Sequence, residues 1–217
     1  MSNSHPRLHT RICDLFKIDY PIVQTGMGWV STANLTAATS AAGGIGFLAT
    51  ATQTFDEMKE AVGQILEITD KPFGINVRTD SPDIEDRLDW SIKSGIKIVS
   101  FAQAPKPDMV KKLKDSGVVT IPTIAARRHA EKVAEWGVDA VIAQGSEGGG
   151  HTGEVPTAVL IPQVTSAVDI PVLAAGGITD GKGLVASLAW GAEGIAMGTR
   201  FLLSAESPVP QSVKQAY

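Results

Sequence analysis

Cysteine is almost absent from this sequence of 217 residues, in which Cys13 is the only one. A single cysteine excludes an intrachain disulfide and any metal site that needs several thiolates. It also bears on the choice among enzyme classes, because some of them require a nucleophilic cysteine in a particular loop.

The sequence also lacks a basic stripe and a long apolar run. Its 19 lysines and arginines are scattered among 23 acidic residues, and the formal net charge is -4. No segment approaches about 18 uninterrupted apolar residues, and the opening stretch MSNSHPRLHTRICDLF contains no apolar core of signal-peptide length. We therefore expect no nucleic-acid partner, no membrane partner and a cytoplasmic location.

Short β-branched runs recur along the chain, with starts roughly 20 to 30 residues apart, as expected for one strand and one helix in each repeat. Between them lie stretches with helical period, such as Phe55–Ile68 and Arg127–Trp136. The predicted strands are Pro21–Thr25, Ile45–Thr50, Phe73–Val77, Lys97–Ala102, Val118–Pro122, Ala140–Gln144, Pro171–Ala175 and Gly194–Gly198.

Several of the predicted helices end in the same way. SGIKIVSF, SGVVTI, WGVDAVIA and WGAEGIAM each place a glycine, suited to a left-handed helix end, shortly before a new apolar strand. Alternating strands and helices allow a doubly wound open sheet or a closed barrel, and the count of eight favours the barrel. We predict an α/β fold in one domain over residues 1–217: a compact (β/α)8 TIM barrel with a short C-terminal end, SAESPVPQSVKQAY.

Barrel enzymes build their active sites on the loops that follow the strands. After the first strand, Gly26 and Gly28 would let the backbone approach a planar ligand, with Met27 and Trp29 as apolar cover. A tight turn around a core methionine is the alternative. At the end of the third strand, Asn76 could bind the polar edge of a ligand ring or could cap the adjacent loop.

The loop after the sixth strand, Gln144–Gly153, contains five glycines and could wrap closely around a ligand. Gln144, Gly149 and Gly150 are candidate ligand contacts, and His151 is the candidate catalytic base, because the pKa of histidine lies near neutrality. A lone loop histidine is more often an idle, solvated residue. The other histidines, His5, His9 and His129, are expected on the surface.

The loops after the seventh and eighth strands carry Ala175, Gly176 and Gly177, and Gly198 and Thr199. Such loops often hold a phosphate on glycine N–H groups and a helix N-terminus, although the glycines could also be simple turn residues. Together with the other loops they describe a site for a phosphorylated planar cofactor. FMN fits that description, and a phosphosugar would place its phosphate on the same N–H donors.

Five segments resemble, in order, the signature regions of the nitronate monooxygenase (2-nitropropane dioxygenase-like) family. They are YPIVQTGMGWV, SAAGGIGFLAT, FGINV, AQGSEGGGHTGEV and PVLAAGGITDGKGLVASLAWGAEGIAMGTRF. The related FMN-dependent enoyl-[acyl carrier protein] reductases share much of this pattern. The most specific part is E-x-G-G-H-x-G, present as Glu147 to Gly153.

The resemblance implies oxidation of alkyl nitronates and nitroalkanes by dioxygen to carbonyl compounds and nitrite, with His151 removing the proton alpha to the nitro group. The implied partners are a small-molecule substrate and dioxygen. Some members carry a lysine on strand five, where this chain reads VTIPT. The residues implied to hold FMN are Gly26, Met27, Gly28, Asn76, Gln144, Gly149, Gly150, Ala175, Gly176, Gly177, Gly198 and Thr199.

Three other functions are alternatives to this one. An enoyl-thioester reductase would use NAD(P)H to reduce FMN, and a non-catalytic barrel would bind only a flavin or a phosphate. A dehydrogenase of the inosine monophosphate type needs a cysteine in loop six, where this chain has Ser146 and His151. That class is therefore disfavoured. The sequence leaves a homo-oligomer open.

Overall fold

Eight parallel strands pair in chain order, and the eighth pairs with the first, so that the sheet closes into a barrel. The protein is described from a computed structural model that covers residues 8–150 and 153–217. This architecture confirms the predicted (β/α)8 TIM barrel. The strands are β1 (Ile22–Gln24), β2 (Ile45–Ala49), β3 (Gly74–Val77), β4 (Ile98–Phe101), β5 (Val119–Ile124), β6 (Val141–Gln144), β7 (Val172–Ala175) and β8 (Gly194–Met197).

One helix precedes β1, seven connect successive strands, and two short helices follow β8. The helices are α1 (Arg11–Phe16), α2 (Ala33–Ala41), α3 (Phe55–Ile68), α4 (Ile84–Lys93), α5 (Pro107–Asp115), α6 (Arg127–Glu135), α7 (Thr157–Thr165), α8 (Gly181–Ala189), α9 (Thr199–Leu202) and α10 (Gln211–Lys214). The last two are only 4 residues long each. Among the described residues, no helix combines the length and the apolar character needed to span a membrane.

The predicted strand bounds agree with the structure to within one residue, except for β5. The sequence predicts an end at Pro122, and proline has no N–H group to donate to a sheet ladder. Instead β5 continues to Ile124, and Thr123 and Ile124 pair with Ile142 and Ala143 of β6. The prediction was wrong there because the loss of one N–H group does not stop the following residues from pairing with the other neighbour.

The predicted left-handed helix ends are confirmed at four glycines. The φ angles are 80° at Gly95, 70° at Gly117, 83° at Gly137 and 92° at Gly191. A side chain would be strained in this region, whereas glycine enters it freely. These turns return each helix to the start of the next strand.

The inside of the barrel is apolar, and its amino-terminal end is closed by α1. Ile12, Cys13 and Phe16 of α1 are buried in the same cluster as inward-facing strand residues such as Ile121 and Leu173. Burial of a large apolar side chain contributes roughly 1.5 to 3 kcal/mol to folding. We call the buried side of α1 the floor of the barrel.

Polar contacts tie the floor to the turns before β7 and β8. The Thr10 hydroxyl donates to Glu193 O at 2.5 Å, and Arg11 Nη1 donates to Asp169 O at 2.8 Å. Arg11 Nε also donates to both carboxylate oxygens of Glu193, at 2.8 and 2.9 Å. These contacts fix the helix across the end of the barrel that lies away from the loops predicted to carry chemistry.

Candidate active site at the carboxyl end of the barrel

The last inward-facing side chains of four neighbouring strands are polar. Side chains alternate along a strand, so these residues share a face with Ile98, Ile121 and Ile142 of the apolar interior. The Asn76 amide donates from Nδ2 to Ser100 Oγ at 2.8 Å, and both residues are buried. We call this set the polar layer: Asn76, Ser100, Thr123 and Gln144.

The turn after β1 lies across the ends of β3 and β8. A Cβ atom added at Gly26 would stand 2.4 Å from Asn76 Cβ, so only glycine fits against this side chain. On the other side, a Cβ at Gly198 would lie 3.3 Å from Met27 Sδ. The Met27 N–H donates to Ser31 Oγ at 2.8 Å, which fixes the turn. Gly26, Met27, Asn76 and Gly198, all candidate ligand contacts from the sequence, therefore lie together at this end of the barrel.

Gly28 and Trp29 face the loop after β2. A Cβ at Gly28 would lie 2.9 Å from Thr52 Cγ2, and the Trp29 N–H donates to Thr52 Oγ1 at 3.2 Å. Trp29 adopts a φ of 59° and is 81% exposed, so the described residues leave its side chain largely uncovered. The role of Trp29 as apolar cover for a ligand stays a prediction.

A buried arginine, which no sequence pattern singled out, orders the loop after β2. Arg87 of α4 donates to Thr50 O at 3.1 Å and to Gln53 O at 2.8 Å. Asp83 Oδ2 lies 2.8 Å from Arg87 Nε, off the direction of the N–H bond, as an ion pair. This pairing with the guanidinium lowers the pKa of Asp83.

The loop after β6 is anchored at both of its described ends. The Ser146 N–H donates to Val155 O at 2.9 Å and closes the neck of the loop. Gln144 Nε2 donates to Gly149 O at 3.0 Å, and a Cβ at Gly153 would lie 2.8 Å from Ala125 Cβ. Added Cβ atoms at Gly149 and Gly150 would meet nothing within 4 Å among the described residues. The glycine segment therefore borders open space.

Glu147 joins this loop to the start of α7. Its carboxylate accepts hydrogen bonds from the Thr157 N–H, at 2.8 and 3.1 Å, and from the Thr157 hydroxyl at 2.8 Å. Desolvation raises the pKa of Glu147, but the hydrogen bonds from Thr157 outweigh it, so the net shift of the pKa is downward. The carboxylate is thus held in its charged form at neutral pH.

The loop after β7 packs against the same threonine. Ala175 is buried, and the next two residues have left-handed φ angles, 103° at Gly176 and 69° at Gly177. A Cβ at Gly176 would stand 2.8 Å from Thr157 Oγ1. Within residues 8–150 and 153–217, no hydrogen-bond acceptor is recorded for the N–H groups of Gly176, Gly177 and Gly198.

The predicted site residues thus fall into three contact groups around one end of the barrel. Gly26 meets Asn76, Met27 meets Gly198, and the loop containing Gln144 and Gly149 meets the loop containing Gly176 and Gly177. Thr199 is exposed at the start of α9, and Gly28 points to the loop after β2 rather than to these groups. His151 and Thr152 lie outside the described residues, as does His5. His9 and His129 are exposed, as expected.

Four residues at the carboxyl end of the barrel, which we call the mouth, were not singled out from the sequence as site residues. Ser100 interrupts the apolar run IVSF, which was a usable signal of a polar inward position. Glu147 stood inside the E-x-G-G-H-x-G pattern without an assigned role. Arg87 and Thr157 gave no local signal, because each acts on a loop distant from it in the chain.

Two surface depressions lie away from the mouth. One, of about 530 Å³, is lined by Ala41 and residues 66–71 near the end of α3. The other, of about 380 Å³, lies between α5 and α6 and includes Trp136. Neither contains a residue predicted to bind a ligand.

A closed barrel with a glycine-rich carboxyl end defines a class of enzymes that hold phosphorylated ligands on these loops. Residues 9–217 match the family model described as nitronate monooxygenase. The chain therefore belongs to the nitronate monooxygenase family of flavin-dependent oxidoreductases.

Curated relatives carry two kinds of name. The chain is 55% identical over 210 residues to a (3aS,4S,5R,7aS)-5-hydroxy-7a-methyl-1-oxo-octahydro-1H-indene-4-carboxyl-CoA dehydrogenase of Rhodococcus jostii, with 97% of this chain and 60% of the relative covered. It is 34% identical to a probable nitronate monooxygenase of Staphylococcus saprophyticus, with 97% and 72% covered. The chain thus spans 60% of the length of the first relative.

Solved structures agree with the fold. FabK from Thermotoga maritima superposes with a TM-score of 0.93 at 42% identity, covering 95% of this chain and 67% of that one. The nitroalkane oxidase from Streptomyces ansochromogenes gives a TM-score of 0.88 at 33% identity, covering 94% of this chain and 72% of that one.

Proposed function

We propose that this chain binds FMN at the carboxyl end of the barrel and oxidises a substrate whose C–H bond is acidified by a neighbouring electron-withdrawing group. The observation that carries the proposal is the set of donors on the loops after β7 and β8. The N–H groups of Gly176, Gly177 and Gly198 have no recorded acceptor among the described residues and suit a phosphate.

The remaining contacts also fit a flavin. Gly26 leaves no side chain between the β1 turn and Asn76, so a flat ring could approach the backbone there. Asn76 and Gln144 of the polar layer could bind the polar edge of the ring, with Ser100 holding the Asn76 amide. Bound FMN would supply the acceptor for the substrate's electron pair.

His151 is the proposed base. Consecutive residues allow at most about 7 Å between the Cα atoms of residues 149 and 151, and likewise between those of 151 and 153. Gly149 is held by Gln144, and Gly153 rests against Ala125, so both anchors lie at the mouth. A neutral imidazole there could take the substrate proton at working pH.

The first candidate substrate class is a coenzyme A thioester. Its support is the identity of 55% and 53% to two relatives named as carboxyl-CoA dehydrogenases. In this reaction His151 would accept the proton from the carbon next to the thioester carbonyl. The opposite direction would reduce an enoyl thioester, which is the alternative that the sequence left open.

The second candidate is oxidation of an alkyl nitronate or nitroalkane by dioxygen to a carbonyl compound and nitrite. The family match over residues 9–217 and the 34% identity to a probable nitronate monooxygenase support it. His151 would remove the proton alpha to the nitro group of a nitroalkane. A nitronate supplied directly would need no base.

The deciding experiment uses the purified chain loaded with FMN and kept free of oxygen. An acyl-CoA thioester or an alkyl nitronate is added in turn, and bleaching of the flavin absorbance is followed. Bleaching by the thioester alone supports the dehydrogenase, and bleaching by the nitronate alone supports the nitronate oxidation.

The His151→Ala variant, with His129→Ala as a matched control on the exposed face of α6, tests the base in the same assay with the thioester or with the neutral nitroalkane, because a preformed nitronate needs no base. If neither substrate bleaches the flavin, both candidate reactions are rejected. Failure of the protein to take up FMN from solution would reject the whole proposal.

A further inference from the structure

We propose that Glu147, acting through Thr157, is a positioning residue that holds the loop carrying His151 at the mouth of the barrel. This inference rests on the proposed role of His151 as the base. The Glu147 carboxylate is part of the family's glycine-rich pattern, yet it points to α7 and not to the glycines beside it.

The contact is specific because three hydrogen bonds meet on one carboxylate. Both oxygens accept from the Thr157 N–H, and Oε2 also accepts from the Thr157 hydroxyl. A charged acceptor forms stronger hydrogen bonds than a neutral one. Since the Thr157 N–H is the first of α7, the negative charge also meets the positive end of that helix.

Thr157 is the point where the loops after β6 and β7 approach each other. It is buried, and its hydroxyl lies 3.1 Å from Gly176 O as well as 2.8 Å from Glu147 Oε2. A Cβ at Gly145 would stand 2.1 Å from the same hydroxyl, and one at Gly177 would stand 3.3 Å from Glu147 Cβ. Thr157 is therefore enclosed between the two loops, whereas the exposed Glu147 side chain is held in place by its hydrogen bonds.

The consequence concerns the residues between the anchors. Glu147 and Ser146 fix the first side of the loop, and Val155 and Thr157 fix the second. His151 lies between these two sides in the chain. Without the Glu147 brace, the neck bond from Ser146 to Val155 would remain, but the glycine segment after it would lose its attachment to α7.

The test compares Glu147→Gln and Glu147→Ala with Glu154→Gln, a matched control that removes an exposed carboxylate of the same loop. Hydrogen exchange at the Thr157 and Ser146 amides is measured without flavin. We expect exchange at Thr157 to become about tenfold faster in the Glu147 variants, as for loss of a hydrogen bond to a charged group. Glu154→Gln should match the unaltered chain.

Turnover separates positioning from general damage. In FMN-loaded protein, Glu147→Gln should slow oxidation of a neutral nitroalkane, which needs the base, by about tenfold or more. Oxidation of a preformed nitronate, and the FMN content, should stay within about twofold of the unaltered chain. Thr157→Ser, which keeps the hydroxyl and the N–H, should behave like the unaltered chain.

Unchanged amide exchange in both Glu147 variants would overturn the proposal whatever the enzyme oxidises. A parallel loss of both activities and of FMN would also overturn it, because that pattern indicates a structural defect. If the unaltered chain oxidises neither nitro compound, the proposed nitro chemistry fails, and the amide exchange still decides whether Glu147 holds the loop.

Discussion

At the amino-terminal end of the barrel, α1 packs Ile12, Cys13 and Phe16 into the apolar interior. At the carboxyl end, the polar layer and glycine-rich loops take the corresponding position. The floor is lined by apolar side chains, whereas the mouth carries polar side chains and glycine loops that border open space. The same eight strands therefore end in a closed apolar surface on one side and in the proposed ligand site on the other.

This difference predicts that stability and chemistry are separated along the strand direction. A residue at the floor can be optimised for packing without touching the substrate. A loop at the mouth can contain glycines in left-handed conformations because the barrel beneath it is rigid. Substitutions at the two ends should consequently affect different measurements.

The largest effect is expected for His151→Ala at the mouth. Loss of a general base should lower turnover of a substrate that needs proton removal by about 100-fold to 10,000-fold. The free energy of unfolding, measured by urea denaturation, should change by less than about 0.5 kcal/mol. Equal turnover in His151→Ala and in the surface variant His129→Ala would remove His151 from the mechanism.

At the floor, Phe16→Ala should lower the stability of the fold and leave the proposed site unaffected. Phe16 is 1% exposed, and its truncation should lower the free energy of unfolding by about 3 to 5 kcal/mol. The fraction that remains folded should still bind FMN, because α1 closes the opposite end of the barrel. A selective loss of FMN affinity in folded Phe16→Ala protein would break the separation between the two ends.

Gly176→Ala should affect both stability and FMN binding. This glycine has a left-handed φ that a side chain would strain, and it also lies in the proposed phosphate loop. Its φ is 103°, and the new Cβ would stand 2.8 Å from Thr157 Oγ1. We expect a loss of about 1 to 3 kcal/mol in unfolding free energy and weaker FMN binding in a titration. Gly63→Ala in α3, where a Cβ would meet nothing within 4 Å, is the control and should be neutral or slightly stabilising.

A smaller effect is expected for Asp83→Asn, which removes the partner of buried Arg87. The pKa of Asp83 is lowered in the folded state, so the ionised form stabilises the fold above the unfolded pKa. That contribution should disappear as the pH falls through the lowered folded pKa. The unfolding free energy of Asp83→Asn should therefore be reduced at neutral pH and should approach that of the unaltered chain in acid.

Arg11→Ala at the floor is the counterpart of Asp83→Asn, because it removes an ion pair of an exposed arginine. The Arg11 side chain is 61% exposed, whereas that of Arg87 is only 7% exposed. An exposed ion pair contributes about 0 to 1 kcal/mol, so this variant should be close to neutral in urea denaturation. A larger loss in Arg11→Ala than in Asp83→Asn would contradict the expectation that the pair with the buried arginine contributes more than the pair with the exposed one.

Much of the barrel could be predicted because its signals are local. The helix Phe55–Ile68 was predicted with its observed bounds, and Thr54 and Glu57 form a capping box at its start. The glycines that end helices were equally readable, since the requirement for a left-handed φ is local. The end of β5 was predicted too early, at Pro122, because pairing with β6 extends the strand to Ile124.

The candidate site divides in the same way. The chain sequence alone determined the order of strands and helices, the positions of the glycines, and the presence of Asn76 and Gln144 near the ends of strands and of His151 in the loop after β6. Only the tertiary structure decided that Gly26 faces Asn76, that Gly28 turns away to Thr52, and that Glu147 reaches Thr157. The physical reason is that periodicity reports which residues share a face of one element, whereas closure of the barrel determines which loops come into contact.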